Sequence, residues 1–515
     1  MAGAHKMIPK SFTCLLLTAY CLLLKAYPPG WSDDILLTPE DMKVRMQPDV
    51  DVDGFNFVWA VWDSGSWVSG TAEILYSKRD NLGGCLIPET DVSNNASFSH
   101  LPRVAVDASN NVQFIWRDAS PQGDGVWHAK LANDGSVLVP SHLAMSGAGG
   151  GSSSLLPEMV INKYKEICII WDEEPSGYNQ MDFTKLDSIG NPIIAKIRVS
   201  PESVLSFWPG IGVDSFGNNH LGYRTNKTST DSLAYTKLNK DGNFLIDYKA
   251  LDAGLLPTII ADRSQNIHMV YPHQTGYGWV INYLKLNQNG NIIIGPKTLY
   301  DLEYYGNPHM AMDSMQYLHV VWEEQTASGT FPIYYAKIDT LGNFVIPPMQ
   351  VVYPPYTPGG GLPRIAVDRN NRLHLIWVDV RIDPNTTDIF YKRGENEQTV
   401  KELERLKAQN QPKISIFPNP FTTETKVIFS LSHPGSQMDV REETERGKIE
   451  IFDILGRKVK EFDYLPKAQY GGNCSFNQIV WNGKDEAGCK LPAGVYLLWL
   501  EFGGFRKMCN AILIR

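Results

Sequence analysis

The stretch LPRIAVDRNNRLHLIWVD, residues 362–379, decides the fold. A proline opens a short apolar run that ends at Asp368, turn-type residues follow, and a second apolar run reaches Trp377. Two β-rich runs joined by a polar turn, in which Asp and Asn can hydrogen-bond their own backbone, are typical of a β-hairpin. The stretch is therefore predicted to be a hairpin whose turn begins at Asp368.

The same hairpin pattern occurs seven times along the chain. The turn residue, called the Asp position below, is occupied in order by Asp53, Asp107, Asn162, Asp214, Asp262, Asp313 and Asp368. Nine residues later an aromatic follows in every copy: Trp62, Trp116, Trp171, Tyr223, Tyr271, Trp322 and Trp377. Such regularity indicates a repeat architecture.

Each repeat continues with a second predicted hairpin. An aromatic-x-basic triplet such as Tyr283–Lys285 is followed by a glycine such as Gly290, which supplies the positive φ of a tight turn. Four strands per repeat, at spacings of 48 to 55 residues between Asp positions, are typical of a β-propeller. The sequence therefore predicts an all-β, seven-bladed β-propeller over residues 33–393. Its seventh repeat lacks a fourth strand, which residues 34–39 are expected to supply.

The N-terminus predicts export. Lys6 and Lys10 precede an apolar stretch that is too short for a membrane span of about 20 residues, so residues 1–26 are interpreted as a signal peptide. No later transmembrane segment is expected. The formal net charge of −9 argues against nucleic acid as a partner. Five cysteines remain beyond the signal, an odd number that leaves at least one free thiol, and a Cys474–Cys489 pair is left open.

After the repeats the composition changes. Residues 394–412 are charged and poor in apolar residues, which is typical of a linker. Residues 413–515 carry alternating apolar runs with glycine turns, which predict a small Ig-like β-sandwich.

Within that C-terminal module, the segments FPNPF at 417–421, IFDILGRKV at 451–459 and WNGKDEAGCKLPAGVY at 481–496 resemble the type A sorting domain of type IX secretion cargo. The resemblance implies that residues 413–515 engage the secretion machinery and that the protein is secreted or held on the outer cell surface. The repeats themselves resemble VDxxGNxHVVW-type propeller units of exported bacterial proteins. That second resemblance supports the fold and says little about chemistry.

A repeated histidine invites a metal site. His220, His268, His319 and His374 each stand six residues after the Asp position. Equivalent positions on separate blades are expected to lie too far apart for the roughly 2 Å ligand distances of zinc. We therefore interpret these histidines as packing residues and the Asp position as a cap of its turn. No cofactor is expected, with Ca²⁺ at the Asp position as the open alternative.

The loops that follow each second strand differ between repeats, so the sequence assigns function to them. They share one face of the predicted ring with the connections between blades. The candidate ligand-binding residues on this long-loop face are Asp63, Trp67, Arg117, Asp118, Asp172, Arg224, Trp279, Glu323, Asp379 and Arg381.

No hydrolase or nucleotide-binding motif occurs in a convincing context, so no catalytic residue is assigned. The sequence favours a non-catalytic propeller that binds an extracellular glycan or protein. A propeller glycosidase or polysaccharide lyase acting on extracellular carbohydrate, and a structural envelope component, are the alternatives.

Overall fold

The computed structural model describes residues 30–41, 43–66, 71–95, 97–120, 123–147, 156–174, 178–202, 204–226, 232–353, 360–383, 385–395, 413–431, 447–464, 475–502 and 505–514. Within these ranges the regular structure is β-strand throughout, so the fold class is all-β. Across the same ranges, no helix has the length and apolar character needed to cross a bilayer. The chain divides into two compact units, residues 1–396 and 397–515.

The first unit contains 28 described strands. They are β1 (Ile35–Leu36), β2 (Arg45–Val52), β3 (Val58–Ser66), β4 (Thr71–Arg79), β5 (Cys85–Asp91), β6 (Ser99–Val106), β7 (Val112–Ser120), β8 (Gly123–Leu131), β9 (Val137–Ser146), β10 (Glu158–Ile161), β11 (Ile167–Glu173), β12 (Gln180–Leu186), β13 (Pro192–Arg198), β14 (Ser206–Val213), β15 (Asn219–Thr225), β16 (Ser232–Leu238), β17 (Phe244–Asp252), β18 (Thr258–Ala261), β19 (Ile267–Thr275), β20 (Gly278–Leu286), β21 (Ile292–Leu302), β22 (Pro308–Met312), β23 (Leu318–Glu323), β24 (Ile333–Ile338), β25 (Phe344–Val352), β26 (Gly361–Val367), β27 (Leu373–Asp379) and β28 (Asp388–Gly394).

These strands form four-stranded antiparallel sheets, each built from strands that follow one another in sequence. The sheets are I (β2–β5), II (β6–β9), III (β10–β13), IV (β14–β17), V (β18–β21), VI (β22–β25) and VII (β26–β28 with β1). In sheet VII the N-terminal strand β1 pairs with β28, with Ile35 opposite Tyr391. The first and last parts of the unit thus share one sheet.

The sheets form a closed ring, which makes this unit a β-propeller. The first strand of each sheet contacts the first strand of the next, and β26 of sheet VII contacts β2 of sheet I. Apolar cores lie between neighbouring sheets: Trp59 and Tyr76 of sheet I, for example, pack with Phe114 and Trp116 of sheet II. Each sheet therefore buries its faces against its two neighbours, as propeller blades do.

The Asp position caps the first hairpin turn of each sheet. In sheet VI, Asp313 Oδ1 accepts hydrogen bonds from the backbone N–H groups of Met315 (2.9 Å) and Tyr317 (2.8 Å). The same pair of bonds recurs at Asp368. This geometry matches the capping role predicted from the sequence, because the carboxylate satisfies turn N–H groups that have no strand partner.

The second oxygen of the Asp position receives a buried side-chain donor. In sheet V, His268 Nε2 lies 3.2 Å from Asp262 Oδ2, and His268 Nδ1 lies 2.9 Å from the hydroxyl of Tyr283. His220 and His319 make the equivalent contacts in sheets IV and VI. In sheet I the indole N–H of Trp59 donates to Asp53 instead. The repeated histidine is thus part of a hydrogen-bonded hairpin core.

The basic residue of the aromatic-x-basic triplet ties most of the described sheets to the next. Lys237 Nζ donates to the carbonyl of Gln288 (2.8 Å), which precedes the turn glycine Gly290 of the following sheet by two residues. Lys130 and Lys285 make the same bond to Ser188 and Thr340. The turn glycine has positive φ, 70° at Gly290, as a tight hairpin turn requires.

The second unit contains two sheets built from β29 (Lys413–Phe417), β30 (Thr425–Leu431), β31 (Gly447–Asp453), β32 (Lys458–Tyr464), β33 (Ser475–Trp481), β34 (Gly494–Phe502) and β35 (Phe505–Leu513). One sheet has the order β29-β30-β33 and the other β32-β31-β34-β35. Val427 and Trp481 of the first share a buried core with Ile449 and Leu498 of the second. Two sheets packed on one apolar core form a layered β-structure.

Replacing His268 with glutamine, the residue that sheet II has at the equivalent position (Gln113), tests the hairpin core. Burial and the nearby Lys285 lower the pKa of His268 to about 4. A lowered histidine pKa means that the unfolded chain binds the proton more tightly, so stability is lost as pH falls from about 6.5 towards 4. Over this pH range the free energy of unfolding of the wild type should therefore fall by roughly 3 kcal/mol more than that of the variant.

Urea unfolding at pH 8, 6 and 4.5 measures the difference. At pH 8 the variant should be less stable by about 1–3 kcal/mol, because a glutamine cannot serve Asp262 and Tyr283 with the same geometry. Parallel pH dependences for the two proteins would contradict the assignment of the buried neutral histidine.

Candidate functional site

A cavity of about 410 Å³ lies on the ring axis, at the end where the first strands begin. All seven first strands or the residues just before them line it, from Gln47 of sheet I to Arg364 of sheet VII. Since each second strand runs antiparallel to the first, the second strands end on the same side of the ring. The cavity therefore opens among the loops of the long-loop face.

One position of the repeat supplies the side chains nearest the axis. It follows the proline that opens each first strand and stands four residues before the Asp position, and we call it the axial position. Its occupants in sheets I to VII are Asp49, Arg103, Glu158, Gly210, Thr258, His309 and Arg364. Five of these residues are ionisable, whereas Gly210 and Thr258 are small. One side of the axis is therefore polar, and the small residues on the other side leave space in the cavity.

Three axial side chains meet across the ring. Arg103 Nη2 donates to Glu158 Oε1 at 2.7 Å, and Arg364 Nη2 lies 3.5 Å from the same oxygen. Sheets II and III are neighbours, whereas Arg364 of sheet VII reaches Glu158 from the far side of sheets I and II. The cluster thus bridges the channel at the cavity.

The two axial carboxyl groups have opposite pKa shifts. Burial alone would raise the pKa of Glu158, but the charges of Arg103 and Arg364 outweigh it and lower the pKa. Burial raises the pKa of Asp49 in spite of the same two arginines. The surroundings therefore favour the ionised form of Glu158 and disfavour that of Asp49.

Two neutral donors stand beside the ion cluster. His309 Nδ1 accepts a hydrogen bond from the Ile365 N–H at 3.2 Å, which places the ring proton on Nε2. Burial, Arg364 and Arg103 hold the pKa of His309 well below its usual value, so the ring is uncharged. Tyr305 donates its hydroxyl proton to Asn307 Oδ1 at 2.8 Å, and burial together with Glu323 raises the pKa of this tyrosine.

The backbone at the cavity rim is strained. The residue before the proline has positive φ in several sheets, as at Gln47 (53°), Trp208 (55°), Leu256 (46°) and Leu362 (54°), and all four residues line the cavity. A left-handed conformation costs a non-glycine residue of order 1–3 kcal/mol, and such strain clusters at functional sites. Trp208 presents an aromatic ring to the cavity, a common surface for ligand stacking.

Four of the residues predicted from the sequence contact the cavity lining, and a fifth, Asp63, contacts Leu101, two residues before the lining residue Arg103. Arg224 sits over the ring of Trp208 at 4.9 Å, and Trp279 packs edge-on against Tyr305 with ring centroids 5.1 Å apart. The others bind backbone or amide groups: Glu323 accepts from Asn307 and the Leu362 N–H, Asp63 from the Leu101 N–H, and Asp172 from the Leu156 N–H. These side chains support the lining.

Four other predicted residues lie elsewhere on the long-loop face. Asp118 accepts hydrogen bonds from Ser97 and Ser99, both at 2.6 Å, and Arg117 pairs with Asp124 at 3.5 Å. Arg381 contacts both Asp379 and Asp34, at 2.6 Å to the latter, and so holds the N-terminal segment next to β1. Trp67 lies outside the described residues.

Within the described ranges, no cluster of three His, Cys, Asp or Glu side chains has metal-site geometry. A calcium site at the Asp position therefore stays an untested alternative. Cys168 is buried in an apolar core, and Cys489 is exposed with a free thiol. The Cys474–Cys489 pairing falls partly outside the described residues, because Cys474 is not among them.

The residues that line the cavity were missed by the sequence reasoning for a definite reason. Repeat equivalents were expected to stay apart around a ring, and this holds for the histidines of the hairpin cores. It is wrong at the axial position, where Arg103, Glu158 and Arg364 touch. The available signal was an ionisable residue directly after the proline of an otherwise apolar strand, as in LPRIAVD.

Comparisons with known proteins add structural neighbours. No protein-family model matches the chain. No curated protein matches it either. Among solved structures, a PL25 ulvan lyase is 9% identical, with 72% of this chain and 99% of that chain covered and a TM-score of 0.49. An α-L-arabinanase of Penicillium chrysogenum is 12% identical (73% and 99% covered, TM-score 0.42), and a GH93 α-L-arabinofuranosidase of Fusarium graminearum 8% (70% and 96%, 0.42).

These neighbours correct the prediction about function. A non-catalytic binding protein was favoured from the sequence, whereas the neighbouring structures include a polysaccharide lyase and glycosidases. The main prediction is therefore wrong, and its enzymatic alternative is a proposal that the neighbours do not establish. At identities of 8 to 12% the likeness concerns the fold, so the chemistry has to be argued from the cavity itself.

The protonation of the buried Glu323 carboxyl group, which contacts the lining residues Asn307 and Leu362, can be tested. Burial raises the pKa of Glu323 to about 7, from an ordinary value near 4.5. A raised carboxyl pKa stabilises the fold below pH 4.5, and this contribution is lost as pH rises through 7. Between pH 4.5 and 8 the free energy of unfolding of the wild type should fall by roughly 3 kcal/mol more than that of the variant Glu323→Gln.

Chemical unfolding at both pH values measures the effect, with Glu303→Gln, at an exposed surface position, as the control that removes a carboxylate without altering the cavity. If E323Q and wild type follow the same pH dependence, Glu323 is not a buried protonated acid.

Proposed function

We propose that the propeller is a carbohydrate-cleaving enzyme, a glycosidase or polysaccharide lyase, that acts on an extracellular polysaccharide in the axial cavity. The observation that carries the proposal is the meeting, in one cavity, of an ionised carboxylate with neutral proton donors. Glu158 is held ionised by two arginines, and Tyr305 and His309 are held uncharged. The volume of about 410 Å³ lies within the usual range of ligand sites.

Glu158 takes the role of the general base. Its carboxylate lines the cavity, is 19% exposed, and is the ionised acceptor among the axial side chains. In hydrolysis such a base activates a water molecule, and in β-elimination it removes a proton from the sugar ring. Tyr305, with its proton held on the hydroxyl, suits the complementary role of donor to the leaving oxygen.

Export of the enzyme is the second part of the proposal. A signal peptide at residues 1–26, seven blades over residues 33–393, a linker at 394–412 and a type A sorting domain at 413–515 fit an enzyme delivered to the cell surface or the medium. The sheets of the first unit and the two-sheet core of the second support these boundaries.

Loss of the base should abolish turnover. Glu158→Gln is expected to lower kcat roughly 10²–10⁴-fold on a polysaccharide that the wild type degrades, because general base catalysis contributes a factor of that size. Reducing-end release and the ultraviolet absorbance of an unsaturated sugar distinguish hydrolysis from elimination. Thermal unfolding verifies that the variant is folded.

The exposed variant Glu303→Gln should keep full turnover. The proposal fails if wild-type protein degrades no polysaccharide in a broad panel of plant, algal and microbial glycans, or if E158Q is as active as wild type.

Delivery by the C-terminal module is tested with a reporter. Residues 413–515 fused behind a signal peptide and a fluorescent protein should reach the surface or medium of a bacterium that has a type IX system. The same fusion without residues 505–513, which form the edge strand β35 and contribute Ala511 and Leu513 to the core, should remain in the periplasm. Equal surface delivery of both fusions would refute a role of the folded module.

A further inference from the structure

Among the described residues, the two arginines of the cavity form direct ion pairs with a single carboxylate. Arg103 and Arg364 both approach the same oxygen of one carboxylate, Glu158 Oε1, at 2.7 and 3.5 Å. Arg103 Nη1 also donates to the carbonyl of Pro102 at 2.7 Å, a neutral acceptor. The direct ion pairs of both arginines therefore depend on one carboxylate oxygen.

Asp49 lies close enough to attract both arginines, but among the described residues it forms no direct ion pair with either of them. One of its oxygens accepts the backbone N–H of Val104 at 3.0 Å, and burial raises the pKa of its carboxyl. Burial and the charge of Arg103 also lower the pKa of Arg364, which is the effect expected where two guanidinium groups crowd each other. An additional negative charge at this point would be stabilised by both arginines.

The arginines also have hydrogen-bonding capacity to spare. Arg103 is 3% exposed, and its Nε is buried without a hydrogen-bond partner. Arg364 lines the cavity with 21% of its side chain exposed, and its contact to Glu158 is long. A planar guanidinium group binds a carboxylate or sulfate through two parallel hydrogen bonds. Two neighbouring guanidinium groups with unused N–H donors can therefore bind a further anion.

Neighbouring groups suit a sugar that carries this anion. His309 lines the cavity with an uncharged ring whose proton is on Nε2, and Gln47 and Tyr305 add polar side chains to the lining. Across the axis, Gly210 and Thr258 are the small axial residues, and the ring of Trp208 lies beside them. Polar anchors on one side and an aromatic face on the other are the usual arrangement of a saccharide subsite.

We propose that Arg103 and Arg364 recognise an anionic group on the sugar, carboxylate or sulfate, so that the substrate is an acidic polysaccharide. The inference rests on the proposed carbohydrate-cleaving function and specifies its substrate class. An acidic sugar gives both guanidinium groups a further direct partner, whereas a neutral sugar leaves Arg364 with only its 3.5 Å contact to Glu158 as a direct ion pair.

Binding measurements on the full-length protein test the proposal. The probes are three oligosaccharides of equal length: one containing uronic acid, one sulfated, and one uncharged. Calorimetry should show at least one acidic oligosaccharide binding roughly 10- to 100-fold more tightly than the uncharged one, as charge-assisted bonds to two guanidinium groups imply. The preference should shrink as salt is raised.

Arg364→Gln removes the charge at similar length, and Arg364→Lys keeps the charge but loses the planar fork. R364Q should abolish the acidic preference, and R364K should retain only part of it. Arg263→Gln, at an exposed turn on the opposite side of the ring, is the control and should leave the preference intact. The salt dependence of wild-type binding tests the idea without relying on the folding of any variant.

The outcomes separate the two proposals. A tighter complex with the uronic-acid or the sulfated probe, lost in R364Q, supports the inference and identifies the anion. Turnover of uncharged polysaccharide with equal binding of all three probes overturns the acidic substrate class and leaves the enzyme proposal standing. An acidic preference without turnover of any polysaccharide supports the anion site and overturns the enzyme proposal.

Discussion

The propeller depends on the buried carboxylate of the Asp position. One oxygen caps the first hairpin turn, and the other accepts a side-chain donor such as His268. That histidine orients Tyr283, and Lys285 of the same strand reaches into the glycine turn of the next sheet. A single repeated acid thus sets the shape of its own hairpin and the register between neighbouring sheets. Because all of these groups are buried, leaving any one unpaired is costly, and the arrangement is specified strongly.

Closure of the ring then determines where chemistry can occur. The first strands of neighbouring sheets contact one another around the ring, and axial residues from several sheets line one cavity. Arg103, Glu158 and Arg364 come from sheets that are far apart in sequence, yet they share one oxygen atom. The charges of Arg103 and Arg364 lower the pKa of Glu158, whereas burial raises the pKa of Asp49, so the site has an ionised carboxylate beside neutral donors.

The residues predicted for binding are explained by the same geometry. Glu323 and Asp172 end their second strands close to the axis, and their carboxylates accept backbone N–H groups of the connections that begin the first strands. They hold the cavity rim, including the strained residue Leu362, rather than project into the opening. Asp379 and Arg381 instead secure Asp34 beside the strand that completes sheet VII. The acidic residues at the loop ends therefore indicated the correct face of the ring for the cavity, but most of them are not the residues that line it.

The sequence by itself determined the local architecture, because hairpin turns, alternating apolar strands and turn glycines depend on short-range contacts that repeat with the same residue types. The period of 48 to 55 residues and the capping role of Asp368 follow from such local chemistry. Only the tertiary structure decided which residues at equivalent positions of different repeats contact one another. Residues at one radius of a ring, such as His220 and His374, remain in separate sheets, whereas Arg103 and Arg364 approach one another through Glu158 because their position lies at the axis. Distance from the axis is a property of the closed ring, and no single repeat encodes it.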